Sequence, residues 1–317
     1  METIVIAGIG SVVGANLAAS LSGRFRVVGL SFSNPVSIEG CETACCARDD
    51  EIAVRHWIGS VRPQWIVYCG AAADSTWQID RQTEADPPLG KPDVHSARIW
   101  AKAARESICR LTVISSDAVF TGPWMFHKEN STCLCDSLPA RTIREIEQVA
   151  TQLCPGTLVV RTNAYGWTPE SAGPGWLETI LEKLNLGTAG PFDFLSHATP
   201  ILATDLGDIL CQAYQQKLEG VYHIAGSERV NSNQFVERLA DEFGLPGPQP
   251  VEGNTLMERP TGFGRGETSL HSSRIRKALG IAMPALTDGL QRFREQKHNG
   301  YCDRLALQVQ IVEGQVA

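Results

Sequence analysis

Two hydrophobic rhythms alternate along this chain. Short runs rich in β-branched and aromatic residues are followed by stretches whose apolar positions return every three or four residues, the signatures of buried strands and of amphipathic helices. Residues 3–10, TIVIAGIG, are a strand run ending in glycine. Residues 14–23, GANLAASLSG, follow with helical spacing at Leu17 and Leu21 and a glycine stop. The alternation continues with a strand in 25–33, a helix over 51–63 ended by Pro63, and a third strand in 64–73. Residues 83–93, dense in proline and charge, read as a loop. A helix over 94–108, a strand in 110–120, a helix over 140–153 and a strand in 156–166 come next. Strand and helix in turn, joined by short connections, predict an α/β fold: a doubly wound parallel sheet of the Rossmann type with helices on both faces.

After Gly166 the rhythm loosens. Helices are expected over 175–187, in the second half of 197–216, over 231–244 with Asn231 or Ser232 as N-cap, over 272–280 and over 285–296, with short strands near 197 and in 220–226. This places a Rossmann dinucleotide-binding domain in residues 1–166, with later returns of the chain allowed, and a smaller α/β substrate domain in 167–317. The tail alternates Leu305, Leu307, Val309 and Ile311, a strand pattern that needs a partner, so a homo-oligomer formed through this strand is one expectation.

Composition changes this picture little. The chain is 43% hydrophobic and 20% charged with a net charge of −7, which argues against a broad nucleic-acid or anionic-membrane surface. No apolar run approaches the roughly 20 residues of a membrane span. The ten cysteines include no C-x-x-C and no zinc-finger spacing, so they read as scattered reduced thiols of a cytoplasmic protein, with no metal expected.

The chemistry begins at the first strand. Gly8, Gly10, Ser11, Val12, Val13 and Gly14 connect it to a helix, the setting in which backbone N–H groups and a helix N-terminus meet a pyrophosphate. Ser31 and Phe32 at the end of the second strand, and Ala71, Ala72 and Ala73 past the third, complete the candidate cofactor site. Neither an acid nor an arginine follows the second strand, so the sequence does not choose between NAD and NADP. Near the ends of the central strands lie Asp74, His95, Ser116, Asp117 and His127. A His–Asp pair there could act as acid and base, although Asp117 bonding a loop and His127 as a solvated loop residue are the plainer readings. His197 reads as a loop residue.

Several segments together resemble the extended short-chain dehydrogenase/reductase superfamily, and within it the dTDP-4-dehydrorhamnose reductase (RmlD-like) family. Residues 62–78, RPQWIVYCGAAADSTWQ, are similar to that family's R-P-D-x-V-I-N-A-A-A-Y-T-x-V-D. Residues 113–122, VISSDAVFTG, resemble its I-S-T-D-Y-V-F-D-G, and 158–167, LVVRTNAYGW, its R-x-S-x-x-Y-G. Segments 197–210, 220–244 and 258–281 match its C-terminal half. The resemblance implies a Rossmann cofactor domain closed by a small sugar-nucleotide domain, and reduction of a keto sugar by NADP or NAD. Some relatives are non-catalytic regulatory subunits. It also implies that Arg265, Arg274 or Arg276 could meet a phosphate of a nucleotide sugar or related small molecule.

In such a reductase a tyrosine protonates the nascent alkoxide. A lysine four residues later lowers the phenol's pKa, and a serine or threonine hydroxyl orients the carbonyl. Ser116 takes the hydroxyl position. Arg141, Thr142 and Glu147 keep the register of the catalytic helix, which puts Pro139 at the tyrosine position and Ile143 at the lysine position. No register repairs this. Tyr68, Tyr165, Tyr214, Tyr222 and Tyr301 are followed four residues later by Ala72, Pro169, Leu218, Gly226 and Leu305. Ala118, Asp74, Gly70 and His95 replace further ligand-side residues. The expectation is an RmlD-like NAD(P)- or sugar-nucleotide-binding protein without the standard reductase chemistry. The alternatives are a reductase using a substitute acid, with Asp74, Asp117 and His127 as candidates, or a non-catalytic regulatory subunit.

Overall fold

The computed structural model of the protein describes residues 1–78, 89–250 and 261–306. Seven parallel strands form its centre: β1 (Thr3–Ala7), β2 (Arg26–Ser31), β3 (Cys41–Cys45), β4 (Trp65–Tyr68), β5 (Arg110–Ser116), β6 (Leu158–Thr162) and β10 (Gly220–His223), in the order β10-β6-β5-β4-β1-β2-β3. The central strands are apolar at nearly every position because both faces are covered. Ile4, Ile6, Trp65 and Val67 pack against α1 (Val12–Leu21) and α6 (Ala203–Gln215). Val5, Ala7, Ile66 and Tyr68 pack against α2 (Glu51–Val61), α3 (Lys91–Glu106) and α4 (Leu138–Leu153). Each large side chain removed from water here contributes roughly 1.5–3 kcal/mol.

The remaining elements cluster at one end. Strand β7 (Ala164–Tyr165) pairs with β9 (Ile201–Leu202), and β8 (His197–Ala198) with β11 (Val230–Asn231). Around them lie α5 (Trp176–Asn185), α7 (Ser232–Phe243), α8 (Ser273–Leu279), α9 (Leu286–His298) and α10 (Tyr301–Arg304). Asn231 caps α7, its side chain accepting from the Gln234 amide at 2.8 Å while the Gln234 side chain accepts from the Asn231 amide.

Three expectations need correction. Strand β3 was not anticipated: its sequence, CETAC, is half-exposed and lacks an apolar period. It forms because its backbone pairs in register with β2, helped by a bidentate Arg26–Glu42 contact at 2.7 and 2.8 Å. The helix expected from 94 starts at Lys91, with Pro92 in its first turn, where a missing N–H costs nothing. Strand β10, past Gly166, forms an edge of the central sheet, a return of the chain of the kind already allowed for. In the tail, Tyr301–Arg304 is helical and Leu305 and Ala306 are not in a strand. The rest of the predicted tail strand falls outside the described residues.

The chain beyond Gly166 is bolted to α1. The Asn16 amide of α1, fully buried, donates to the Val12 and Trp167 carbonyls at 2.7 and 2.8 Å, and the Tyr301 hydroxyl donates to Asn16 Oδ1 at 3.0 Å. A methyl group on Gly166 would fall 2.9 Å from Asn16, so the close approach needs glycine.

A second polar knot lies under β6 and β10. Arg161 and Glu147 are a buried bidentate pair (2.7 and 2.9 Å), and Ser115 donates to the same carboxylate at 2.5 Å. Beside it His223 is fully buried. Its Nδ1 is 3.0 Å from the His127 carbonyl, whereas Nε2 has no partner among the described residues. Burial first, then the Arg161 cation, pushes the His223 pKa down to about 3. The neutral ring is therefore the folded form. Its contribution is complete above the unfolded pKa of about 6.5 and is lost as pH falls from there toward 3. His223→Phe is expected to flatten the acid limb of stability across this window, by up to about 1.4 kcal/mol per pH unit. Melting temperatures from pH 7 to 4 measure it, and parallel limbs in the two proteins would reject the assignment.

Candidate functional site

The sheet order reverses between β1 and β4, and the two chains part there to opposite sides, leaving a crevice beyond the strand ends. The Cys69 amide donates to the Ala7 carbonyl at 2.7 Å and the Gly8 amide to Leu30 at 2.8 Å, so pairing holds the three strands together to the lip of the crevice. Gly8 then turns with φ +92°. A Cβ there would sit 1.9 Å from the Cys69 carbonyl oxygen, so no other residue allows the turn. A Cβ on Gly14 would lie 2.2 Å from the Gly8 oxygen, bringing α1 tightly onto the strand. Gly10 has only Ser31 and Val36 at 3.5 and 3.6 Å and faces the cleft.

Ser11 is the N-cap of α1. Its hydroxyl donates to the Gly8 carbonyl at 2.9 Å and accepts from the Gly14 amide at 3.0 Å. No acceptor among the described residues meets the amides of Val12 and Val13. Two unpaired N–H groups at the positive end of a helix, beside a glycine that leaves room, suit a pyrophosphate.

The cleft is about 560 Å³. Of the expected cofactor residues, Gly8, Gly10, Ser11, Val12, Ser31, Phe32 and Ala71 line it. Val13 and Gly14 lie just inside the helix. Ala72 and Ala73 are buried behind the wall. Sequence reasoning missed the far wall, where Thr168, Ala172, Pro174, Gly175 and Trp176 come from beyond Gly166. The resemblance put an adenine-contacting position at Ala47 or Cys46, with Asp49 and Asp50 just after it. Ala47 and Asp49 line the cleft, and so does Arg48, to which sequence reasoning assigned no role, all three on the segment leaving strand β3. The Thr168 amide donates to Glu178 at 2.7 Å, which fixes the entry to α5, and Trp176 at the start of that helix lines the cleft. The residues present therefore fit a dinucleotide: a pyrophosphate turn, a ribose wall at Ser31–Ser33 and a covering segment.

The proposed chemical groups separate sharply. Asp74 lines the cleft. It is exposed to the cavity, and desolvation by the surrounding walls raises its pKa to about 6. Asp117 does not line it. It is fully buried, accepting from Thr268 at 2.8 Å and from Asn163 at 3.1 Å, and Ser116 sits beside it at 3.3 Å, capping the turn that follows β5. These bonds tie the sheet to the segment around Thr268. His127 is buried, not solvated. It stacks on Phe120 at 4.6 Å, and its ring nitrogens are 3.0 Å from Ser131 Oγ and the Glu267 carbonyl. His95 is exposed on α3.

Pro139 and Ile143 fall in the first turns of α4 and are buried. Ile143 packs with Ala72, Val119, Phe120, Ala225 and Leu270 in a small apolar cluster just behind the cleft wall. None of the five tyrosines lines the cleft. Tyr68 donates to Ser96, Tyr301 to Asn16 and Tyr214 stacks on Trp65, while Tyr165 is in the core and Tyr222 lies under Arg274. No lysine lines it either.

A second cavity of about 410 Å³ opens between Pro123, Met125, Phe194, His197, Arg229 and Glu267. His197, expected in a loop, stands on β8 and faces this cavity. Arg229 is engaged by Glu267 at 2.5 and 2.9 Å. Arg274 donates to the Val221 carbonyl and, like Arg265 and Arg276, is not part of the lining. Among the described residues no three His, Cys, Asp or Glu side chains group to hold a metal ion, all ten cysteines are free, and no helix is long and apolar enough to cross a membrane.

Comparison with known proteins agrees with this architecture. The family profile of the RmlD substrate binding domain matches residues 1–298. Methionine adenosyltransferase 2 subunit beta of Danio rerio is 27% identical over 267 residues, 80% of each chain. Among solved structures, dTDP-4-dehydrorhamnose reductase from Bacillus anthracis in complex with NADP superposes with a TM-score of 0.76 at 18% identity, over 93% of this chain and 99% of that one. UDP-glucose 4-epimerase from Thermotoga maritima with UDP-glucose gives 0.71 at 14% identity, over 95% and 100%. With its reversed parallel sheet, glycine turn and covering segment matched over nearly its whole length, the chain belongs to the RmlD substrate binding domain family, the RmlD-like branch of the extended short-chain dehydrogenases/reductases.

Proposed function

We propose that this protein binds a nicotinamide dinucleotide in the β1–β4 cleft and does not carry out the family's standard carbonyl reduction. The observation that carries this reading is the pair Pro139 and Ile143, buried where the proton donor and its lysine would stand, with no tyrosine or lysine of the chain lining the cleft. A bound nicotinamide would supply a hydride. The chain's own residues would hold the pyrophosphate at the Val12 and Val13 amides, seat the ribose along Ser31–Ser33 and exclude water with Thr168–Trp176. None of them would deliver a proton as the family's phenol does. A role as a binding or regulatory subunit is supported by the relative from Danio rerio, which is named as a subunit.

Asp74 favours a second reading, a reductase with a substitute acid, because it is the one candidate acid of the three that faces the cleft. Turnover separates the two. NADPH or NADH is expected to bind, read by nicotinamide fluorescence, with no oxidation above background when 4-keto nucleotide sugars are added. Turnover that disappears in Asp74→Asn would establish the second reading, and absence of dinucleotide binding would reject both.

The raised pKa of Asp74 sets a pH dependence. Above about 6 the carboxylate faces an anionic cofactor, and below it the neutral acid does not. Dinucleotide affinity is expected to rise about three- to tenfold from pH 8 to 5.5, a step that Asp74→Asn removes by binding tightly throughout. Calorimetric titration at the two pH values checks this. For the subunit role, removing residues 307–317 is expected to lower the mass in solution of any assembly the chain forms. Unchanged light scattering would exclude the tail as the contact.

A further inference from the structure

We infer that Arg48 selects the phosphorylated cofactor, taking the adenosine 2′-phosphate of NADP(H). This rests on the dinucleotide-binding reading above.

In a Rossmann site the adenosine ribose lies beyond the end of the second strand. An acid there accepts from the 2′-hydroxyl, whereas an arginine nearby receives a 2′-phosphate. Strand β2 ends at Ser31 and continues with Phe32 and Ser33, which offer hydroxyls and no acid. Strand β3 runs parallel beside it, with Ser31 opposite Cys45, so the segment leaving β3 emerges at the same end of the sheet. Arg48 on that segment and Ser33 both line the cleft. A guanidinium fork and a hydroxyl make a donor set matched to a phosphate.

Arg48 is held on two sides by α3. Its Nη1 donates to Asp93 Oδ1 at 2.6 Å, and its carbonyl accepts from the Ser96 hydroxyl at 2.8 Å. Ser96 in turn accepts from the Tyr68 hydroxyl at 3.0 Å. Asp93 and Ser96 are three residues apart and share one helix face. Asp93 is only 3% exposed, and a carboxylate so buried is costly unless it is paired; here it also accepts from the Gly90 amide at 2.9 Å. The arginine side chain keeps 38% of its surface exposed, and no other acceptor among the described residues meets Nε or Nη2. A buried acid thus holds one edge of the guanidinium at the cleft wall and leaves its other donors free among the described residues. Asp49 also lines this wall, and Asp50 is committed to capping α2. Without the arginine, the local charge would repel a phosphate.

The test is calorimetric titration of the full chain with NADPH and NADH at one ionic strength, with 2′,5′-ADP and ADP as competing fragments. NADPH is expected to bind about tenfold tighter or more, and 2′,5′-ADP to outcompete ADP. Arg48→Met leaves Asp93 unpaired and lowers the melting temperature, and measured well below that transition it is expected to abolish the preference for NADPH. Asp93→Asn should lose part of the preference and add nothing to Arg48→Met, as a positioning residue must. Equal affinity of the parent chain for the two dinucleotides, or a preference that survives Arg48→Met, overturns the assignment. If neither dinucleotide binds, the binding reading itself fails and the assignment falls with it.

Discussion

Everything functional in this fold depends on how closely two backbones approach at the end of β1. Gly8 passes so near the Cys69 carbonyl that a single methyl group would overlap it. That contact closes the sheet to its lip and then lets the chains part, one into α1 and the other toward Asp74. The crevice, the unpaired amides of Val12 and Val13 and the route of the covering segment all follow. Gly14 extends the same constraint to the helix, and Asn16 extends it to the rest of the chain by binding the Trp167 carbonyl and the Tyr301 hydroxyl. Helix α1 is therefore also the strut on which the C-terminal half is mounted.

Around this frame polar groups have been partitioned. At the mouth, Arg48, Asp49 and Asp74 remain in contact with the cavity. Behind the wall four charged or titratable side chains are buried: Asp117 accepts from Asn163 and Thr268, Arg161 donates to Glu147, and His223 meets the His127 carbonyl. Between the two lies the apolar cluster around Ile143. A lysine at that place would be a charge in a greasy pocket and would need a partner. The isoleucine needs only neighbours, and Phe120 and Leu270 provide them. Ile143 and its neighbours form a packed joint between the sheet and the C-terminal segment.

Much of the fold could be read along the chain. The apolar runs TIVIA and WIVY, buried on both faces, announce central strands, and the period of α4 and α7 announces helices. Strand β3 could not be read, because an edge strand held by backbone pairing needs no apolar pattern. For the same reason Arg48 gave no signal, since its importance comes from standing beside β2, seventeen residues away from Ser31. Asp74 and His127 looked alike in the sequence, two polar residues near strand ends. The structure opens one to the cleft and stacks the other on Phe120, a difference made by side chains from distant segments.

By itself, then, the order of residues determined the alternating strand and helix pattern, the glycine turn and the absence of a phenol–lysine pair, because each is written in local spacing or in residue type alone. Only the tertiary structure decided which polar groups meet the cleft. Burial, desolvation and partnership depend on what the sheet brings together, and segments as far apart in the chain as Arg48, Asp93 and Trp176 become neighbours or cleft walls only once the backbone hydrogen bonds of seven strands are in place.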